Sequence, residues 1–95
     1  MKDERGLYYY PALPQKNERM YVRRGATGIE FRLWNSENPK VWDNHLWLDM
    51  ATIKKAAAMY ITNPDYKGRN PLPLYDVGIA ERLIKDEQNA NQDSK

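Results

Sequence analysis

Residues 19–34 constrain the fold more tightly than any other part of the chain. Arg19-Met20-Tyr21-Val22-Arg23-Arg24 and Ile29-Glu30-Phe31-Arg32-Leu33-Trp34 each alternate with period two, and Gly25-Ala26-Thr27-Gly28 lies between them. Two alternating runs around a short glycine-containing turn read as a β-hairpin. Pairing Val22 with Phe31 sets Met20 against Leu33 on one face. The other face then pairs Arg23 with Glu30, Tyr21 with Arg32 and Arg19 with Trp34, an ion pair and two cation–aromatic pairs worth about 0.2–1 kcal/mol each. Slipping the register by one places Val22 against Arg32 and Met20 against Trp34, which mixes the faces. The unslipped register is the expected one.

Other elements are read around this hairpin. Leu7-Tyr8-Tyr9-Tyr10 has high strand propensity and is closed by Pro11 and Pro14, so it predicts a third strand at a sheet edge. Asn38-Pro39 opens a short helix over about Pro39 to Asn44, with Val41, Trp42, His45 and Leu46 at helical spacing. Asp49 caps a longer helix from Met50 to about Ile61, whose apolar stripe is Met50, Ile53, Ala57, Tyr60 and Ile61, and Asn63-Pro64 stops it. Residues 63–75 form a long turn-rich loop. Asp76 caps a last helix over Val77 to about Asp86, with Val77, Ala80, Leu83 and Ile84 buried. The expected fold class is α+β: a small N-terminal antiparallel sheet of three strands, covered on one face by two or three C-terminal helices. Val22, Phe31, Leu33, Ile53, Ala57, Tyr60 and Leu83 are its expected core. Residues 1–6 and 88–95 are polar and expected to be tails without structure, leaving one domain over 7–87.

Composition agrees with a single small unit. Leu, Ile, Val and Phe supply only 17 of 95 residues, but three Trp, seven Tyr and four Met add large side chains, and the net charge is only +2. A core rich in aromatics follows rather than disorder, which also requires a large net charge. The chain has no cysteine, which excludes disulfides, thiolate metal sites and a cysteine nucleophile. Its longest apolar run, Ala56 to Ile61, is far short of the ~20 residues that span a bilayer, and Met1–Gly6 is not followed by a signal-like apolar segment. A soluble cytoplasmic protein without membrane contact is expected. Residues 1–24 carry six basic and three acidic groups, whereas 76–95 carry three and five. The sequence pI of about 8.9 falls just under the value of ~9 typical of nucleic-acid-binding domains.

Catalytic chemistry finds little support. His45 is the single histidine, and Asp43 and Asp49 near it make an Asp-x-His pattern without a second histidine or cysteine; a helix-end residue is the simpler reading. Ser36, Ser94, Thr27, Thr52 and Thr62 lie in loops, tails and helix ends, none in a nucleophile elbow. Gly25-Ala26-Thr27-Gly28 lacks the Gly-Lys-Ser/Thr of a phosphate loop, and its glycines serve a turn. Lys54 and Lys55 read as a solvated helix face, and as the second helix of a helix-turn-helix the 50–61 helix carries few base-reading side chains beyond Lys54, Lys55 and Thr52. Carboxylates alone (Asp43, Asp49, Asp65, Asp76) make no active site. No enzyme activity, metal, cofactor or small-molecule substrate is expected.

One constellation remains. Arg19, Tyr21, Arg23, Arg32 and Trp34 share the face turned from the core, joined by Tyr8 and Tyr10, or else by Tyr9. Tyr, Trp and Arg dominate the energetics of protein interfaces. The same residues on an open sheet stack bases and hold phosphates. A self-paired solvated face is the plain structural explanation. The expected function is a non-enzymatic protein-interaction (adaptor) module, with a protein partner or self-association through this face. Weak nucleic-acid binding by the same residues is the alternative.

Overall fold

The expected hairpin register is the one the chain adopts. In the computed structural model, which describes residues 2–65 and 72–93, β3 (Glu18–Gly25) pairs antiparallel with β4 (Gly28–Asn35), Val22 opposite Phe31 and Arg19 opposite Trp34. Only Ala26 and Thr27 separate the paired Gly25 and Gly28. The two glycines differ in what they provide. Gly28 has φ +136°, where a side chain is strained, whereas a Cβ on Gly25 would lie 2.3 Å from the Glu30 carboxyl carbon.

The sheet is larger than expected. Among the described residues it has five antiparallel strands in the order β1-β2-β3-β4-β5, adding β1 (Lys2–Asp3), β2 (Gly6–Tyr9) and β5 (Leu48–Asp49) to the hairpin. Residues 2 and 3, expected to be tail, instead pair with Leu7 and Gly6. Two distant contacts hold them: Lys2 forms an ion pair with Glu87, and Asp3 one with Arg19. β2 is therefore an inner strand over its first half. Tyr8 lies opposite Tyr21 and Tyr9 opposite Met20, which assigns Tyr8 to the arginine face and Tyr9 to the core.

Two long helices cover the core face. α2 (Met50–Thr62) begins where predicted, the Asp49 carboxylate accepting the Thr52 N–H at 2.9 Å. α3 (Val77–Asp93) begins with the Asp76 carboxylate accepting the Ile79 N–H at 3.0 Å. Ile53 and Ala80 close over Tyr9, Met20, Val22 and Phe31, and Met20 and Phe31 are wholly buried. Each such side chain contributes about 1.5–3 kcal/mol on burial. α3 continues to Asp93 rather than ending near Asp86, so the chain from Gln88 to Asp93 is helical rather than irregular. Leu33 and Leu83 are half-buried against the cluster. Tyr60, expected in the core, is 52 % exposed, because the short β5 gives the last turn of α2 no sheet to lie on.

Helices do not keep to one face. α1 (Lys40–His45) folds over the arginine side of β4, where Trp42 meets the Tyr21 ring edge-on at 5.3 Å. Of the expected 63–75 loop, 66–71 lie outside the described residues; Leu72–Leu74 form a 3-10 turn. The Tyr9 hydroxyl fixes that turn, donating to the Leu74 carbonyl at 2.6 Å and accepting the Asp76 N–H at 2.8 Å.

Candidate arginine–aromatic interface

Alternation in β3 and β4, together with β2 beside them, brings all seven candidate binding residues onto one side of the sheet. Tyr8 lies 5.4 Å from Tyr21 and 5.7 Å from Tyr10 between ring centres. The Arg19 guanidinium sits between the Tyr8 ring at 4.7 Å and the Trp34 ring at 4.9 Å. Arg23 is 4.3 Å from the Trp47 ring and donates to Glu30 at 2.7 Å. Arg32 is 3.9 Å from the Trp42 ring. Cations placed over indole faces contribute about 0.5–2 kcal/mol each, more as water is excluded.

The face is not open at its centre, as the sequence suggests it should be. Tyr21 is wholly buried, and Arg19, Arg32 and Trp34 are half-buried. Its cover comes from three places: Trp42 of α1, Asp3 of β1, and Arg5, whose guanidinium lies 5.7 Å from Trp34 and 5.8 Å from Trp42. Asp3, Arg5, Trp42 and Trp47 thus belong to the site although sequence reasoning omits them. Only the closeness of Trp42 and Trp47 in the sequence hints at their part.

The electrostatics centre on Asp3. Its Oδ2 accepts the Tyr21 hydroxyl and Arg19 Nη1, the latter at 2.8 Å, while Oδ1 accepts the Arg5 N–H at 2.8 Å. Burial pushes its carboxyl up, but the Tyr21, Arg5 and Arg19 donors together outweigh burial and hold it below the usual range. Burial, with the hydroxyl donated to Asp3, raises Tyr21. Arg19 Nε is buried and has no acceptor among the described residues. Arg23 is matched by Glu30, and Arg32 spends Nε and Nη2 on the Trp42 carbonyl at 2.9 and 2.7 Å. The surface that results is aromatic, with Arg19 and Arg23 charge-paired, and is rimmed by the exposed Arg5, Arg23 and Lys16, the last 5.7 Å from the Tyr10 ring.

His45 is engaged elsewhere. Its Nδ1 lies 2.8 Å from the Leu46 carbonyl and its Nε2 2.6 Å from the Tyr75 hydroxyl. Among the described residues no three His, Cys, Asp or Glu side chains form a metal-holding group, and no helix is long and apolar enough to cross a membrane. No family model matches the chain, and no curated protein or solved structure matches it either.

Proposed function

We propose that this domain is a non-enzymatic protein-interaction module, acting in the cytoplasm as an adaptor through the arginine–aromatic face. The observation that carries the reading is the stacking of Arg19, Arg23 and Arg32 on four aromatic rings, with each guanidinium also hydrogen-bonded. Side chains held this way lose little entropy on binding, and Trp, Tyr and Arg in such settings are the usual anchors of protein interfaces. Charge pairing favours a protein over nucleic acid. Asp3 and Glu30 already neutralise Arg19 and Arg23, whereas phosphate binding draws on unpaired cations. The non-enzymatic part rests on the one histidine being tied to the Leu46 carbonyl and the Tyr75 hydroxyl.

Affinity capture from native extract, with nuclease-treated and untreated arms, tests the reading. Trp34→Ala and Trp47→Ala are expected to lower partner affinity by about 2 kcal/mol or more while costing the fold ~1 kcal/mol. A captured protein should survive nuclease and roughly 0.5 M salt, where exposed charges are screened within a few ångström. Binding that vanishes with nuclease or salt would instead indicate nucleic acid. Capture unchanged in both variants would remove this face as the binding surface.

A further inference from the structure

The N-terminal arm sits where a ligand of this face would sit. Among the described residues β1 is two residues long and pairs with β2 at Gly6 and Leu7, and no strand pairs with the outer edge of β2 beyond Leu7. Its one inward anchor is the Asp3 carboxylate, seated on the Arg19 guanidinium and the Tyr21 hydroxyl between the Tyr8 and Trp34 rings. Asp3 takes only Nη1 of that guanidinium, and Nε is buried without an acceptor among the described residues. An arginine flanked by two aromatic rings, beside a buried tyrosine hydroxyl, is a receptor for a carboxylate. The chain's own carboxylate engages it from the end of a minimal edge strand, a kind of strand that a longer segment readily replaces.

Building on the reading of this face as a protein interface, we propose that Asp3 is a resident stand-in for a partner's carboxylate. The Lys2–Asp3 arm then occupies an edge site that an extended acidic segment of a protein partner takes over. The incoming segment adds as a strand along β2, places an Asp or Glu side chain on Arg19 and Tyr21, and frees Lys2 from Glu87. Two features favour an acidic peptide over other occupants. The edge supplies backbone donors and acceptors that only an extended chain matches. The seat has already selected a carboxylate within this chain.

The arm acts as an internal competitor, so affinity for an outside ligand is reduced by the fraction of time the seat is free. The test uses isotope-labelled full-length protein and two end-blocked hexapeptides, Thr-Val-Glu-Val-Thr-Val and its Glu→Gln form. Asp3→Ala is expected to bind the Glu peptide about tenfold or more tightly than the wild type does. Shifts should fall on the backbone amides of Tyr8, Arg19, Tyr21 and Trp34. The Gln peptide should lose most of that affinity, and so should the Glu peptide against Asp3→Ala/Arg19→Gln. Unchanged amide signals of Ile53, Ala57 and Ala80, buried on the other side of the sheet, show that the variants remain folded. Equal affinity of wild type and Asp3→Ala overturns the proposal, as do equal affinities of the two peptides. So does Asp3→Ala taking a single-stranded oligonucleotide in preference to the Glu peptide. Failure here with Trp47-dependent capture intact removes only the arm and its acidic partner. Loss of that capture removes the interface reading itself.

Discussion

Arg32 holds Trp42 twice: its guanidinium lies 3.9 Å from the centre of the indole ring and donates both Nε and Nη2 to the same residue's carbonyl. The second bond type, with the His45–Tyr75 contact, accounts for a helix this short. A helix of six residues with no side-chain cap is far too short to be stable alone in water. Arg32 satisfies a backbone acceptor of that helix and packs its Trp42 side chain in the same contact. Through Trp42 the tie extends to Tyr21 and Trp47, so one arginine on β4 fixes half of the arginine face.

Arg32→Lys is therefore not a conservative change. A lysine keeps the charge but lacks the planar fork that donates twice to one carbonyl and stacks on indole. The expected cost is about 1–3 kcal/mol in urea unfolding. Near-UV circular dichroism from the tryptophans should weaken while the far-UV spectrum changes little. A variant with wild-type stability and an unchanged near-UV spectrum would show that α1 is held by something else.

The hairpin is legible in the sequence because both of its faces are chemically uniform. Met20, Val22, Ile29, Phe31 and Leu33 fill one side, with polar Glu18, Arg24 and Asn35 only at its ends, and the other side is Arg, Glu, Tyr or Trp from Arg19 to Arg23 and Glu30 to Trp34, so a slip by one residue is costly along most of its length. The caps at Asp49 and Asp76 are legible for a similar reason, since a cap is decided within four residues. What escapes the sequence is decided at long range. Lys2 is joined to Glu87, 85 positions away, and no local pattern announces that pairing. β1 and the last turns of α3 are both missed as a result. The cover over Tyr21 is missed because Trp42 fits a helical stripe facing either side of the sheet. At the candidate site the sheet residues are readable from alternation, whereas Asp3, Arg5 and Trp47 arrive from other segments.

Tyr9 offers a second test of the packing. Its buried hydroxyl bridges the Leu74 carbonyl and the Asp76 N–H, so it joins β2 to the turn that launches α3. Tyr9→Phe keeps the ring in the core and removes only the oxygen. Both backbone groups are left without that partner, and the expected loss is about 1–3 kcal/mol. Amide exchange at Asp76 should accelerate more than exchange at Val22. Equal protection of Asp76 in the two proteins would contradict the bridge.

Alkaline titration should separate the tyrosines. Burial raises Tyr9 to about 12, reinforced by the Asp76 and Tyr75 charges against the Asp76 N–H, and burial with the Tyr60 charge raises Tyr75 to about 12. A tyrosine ionises near 10 in the unfolded chain. The native state thus holds these protons longer, and the stability they contribute is complete below pH ~10 and lost as pH rises towards about 12. Phenolate absorbance should show exposed tyrosines ionising first, and Tyr9 and Tyr75 only with unfolding. Reversible ionisation of all seven near pH 10 with the fold intact would refute this.

The acid side is governed first by His45. The Leu46 carbonyl only accepts, so Nδ1 carries the proton, and Nε2 accepts the Tyr75 hydroxyl in the neutral ring. Protonation would place the ring's second hydrogen on Nε2, against a hydroxyl that already points its own hydrogen there. Burial disfavours the cation most, the Leu46 carbonyl opposes that effect, and the Arg32 charge adds to it, leaving His45 below its ordinary value of 6.5. The unfolded chain therefore binds a proton before the native one does. Stability is complete above pH ~6.5 and falls as pH drops from there through the lowered native value. Asp3 and Asp49, both held below 3.8, withdraw their contributions only further into acid, so the two windows are distinct. Because the chain has no other histidine, His45→Gln should abolish the first decline and leave the second. Urea unfolding at steps between about pH 7.5 and 2.5 measures both. A decline of the same slope in the His45→Gln variant would show that His45 does not control it.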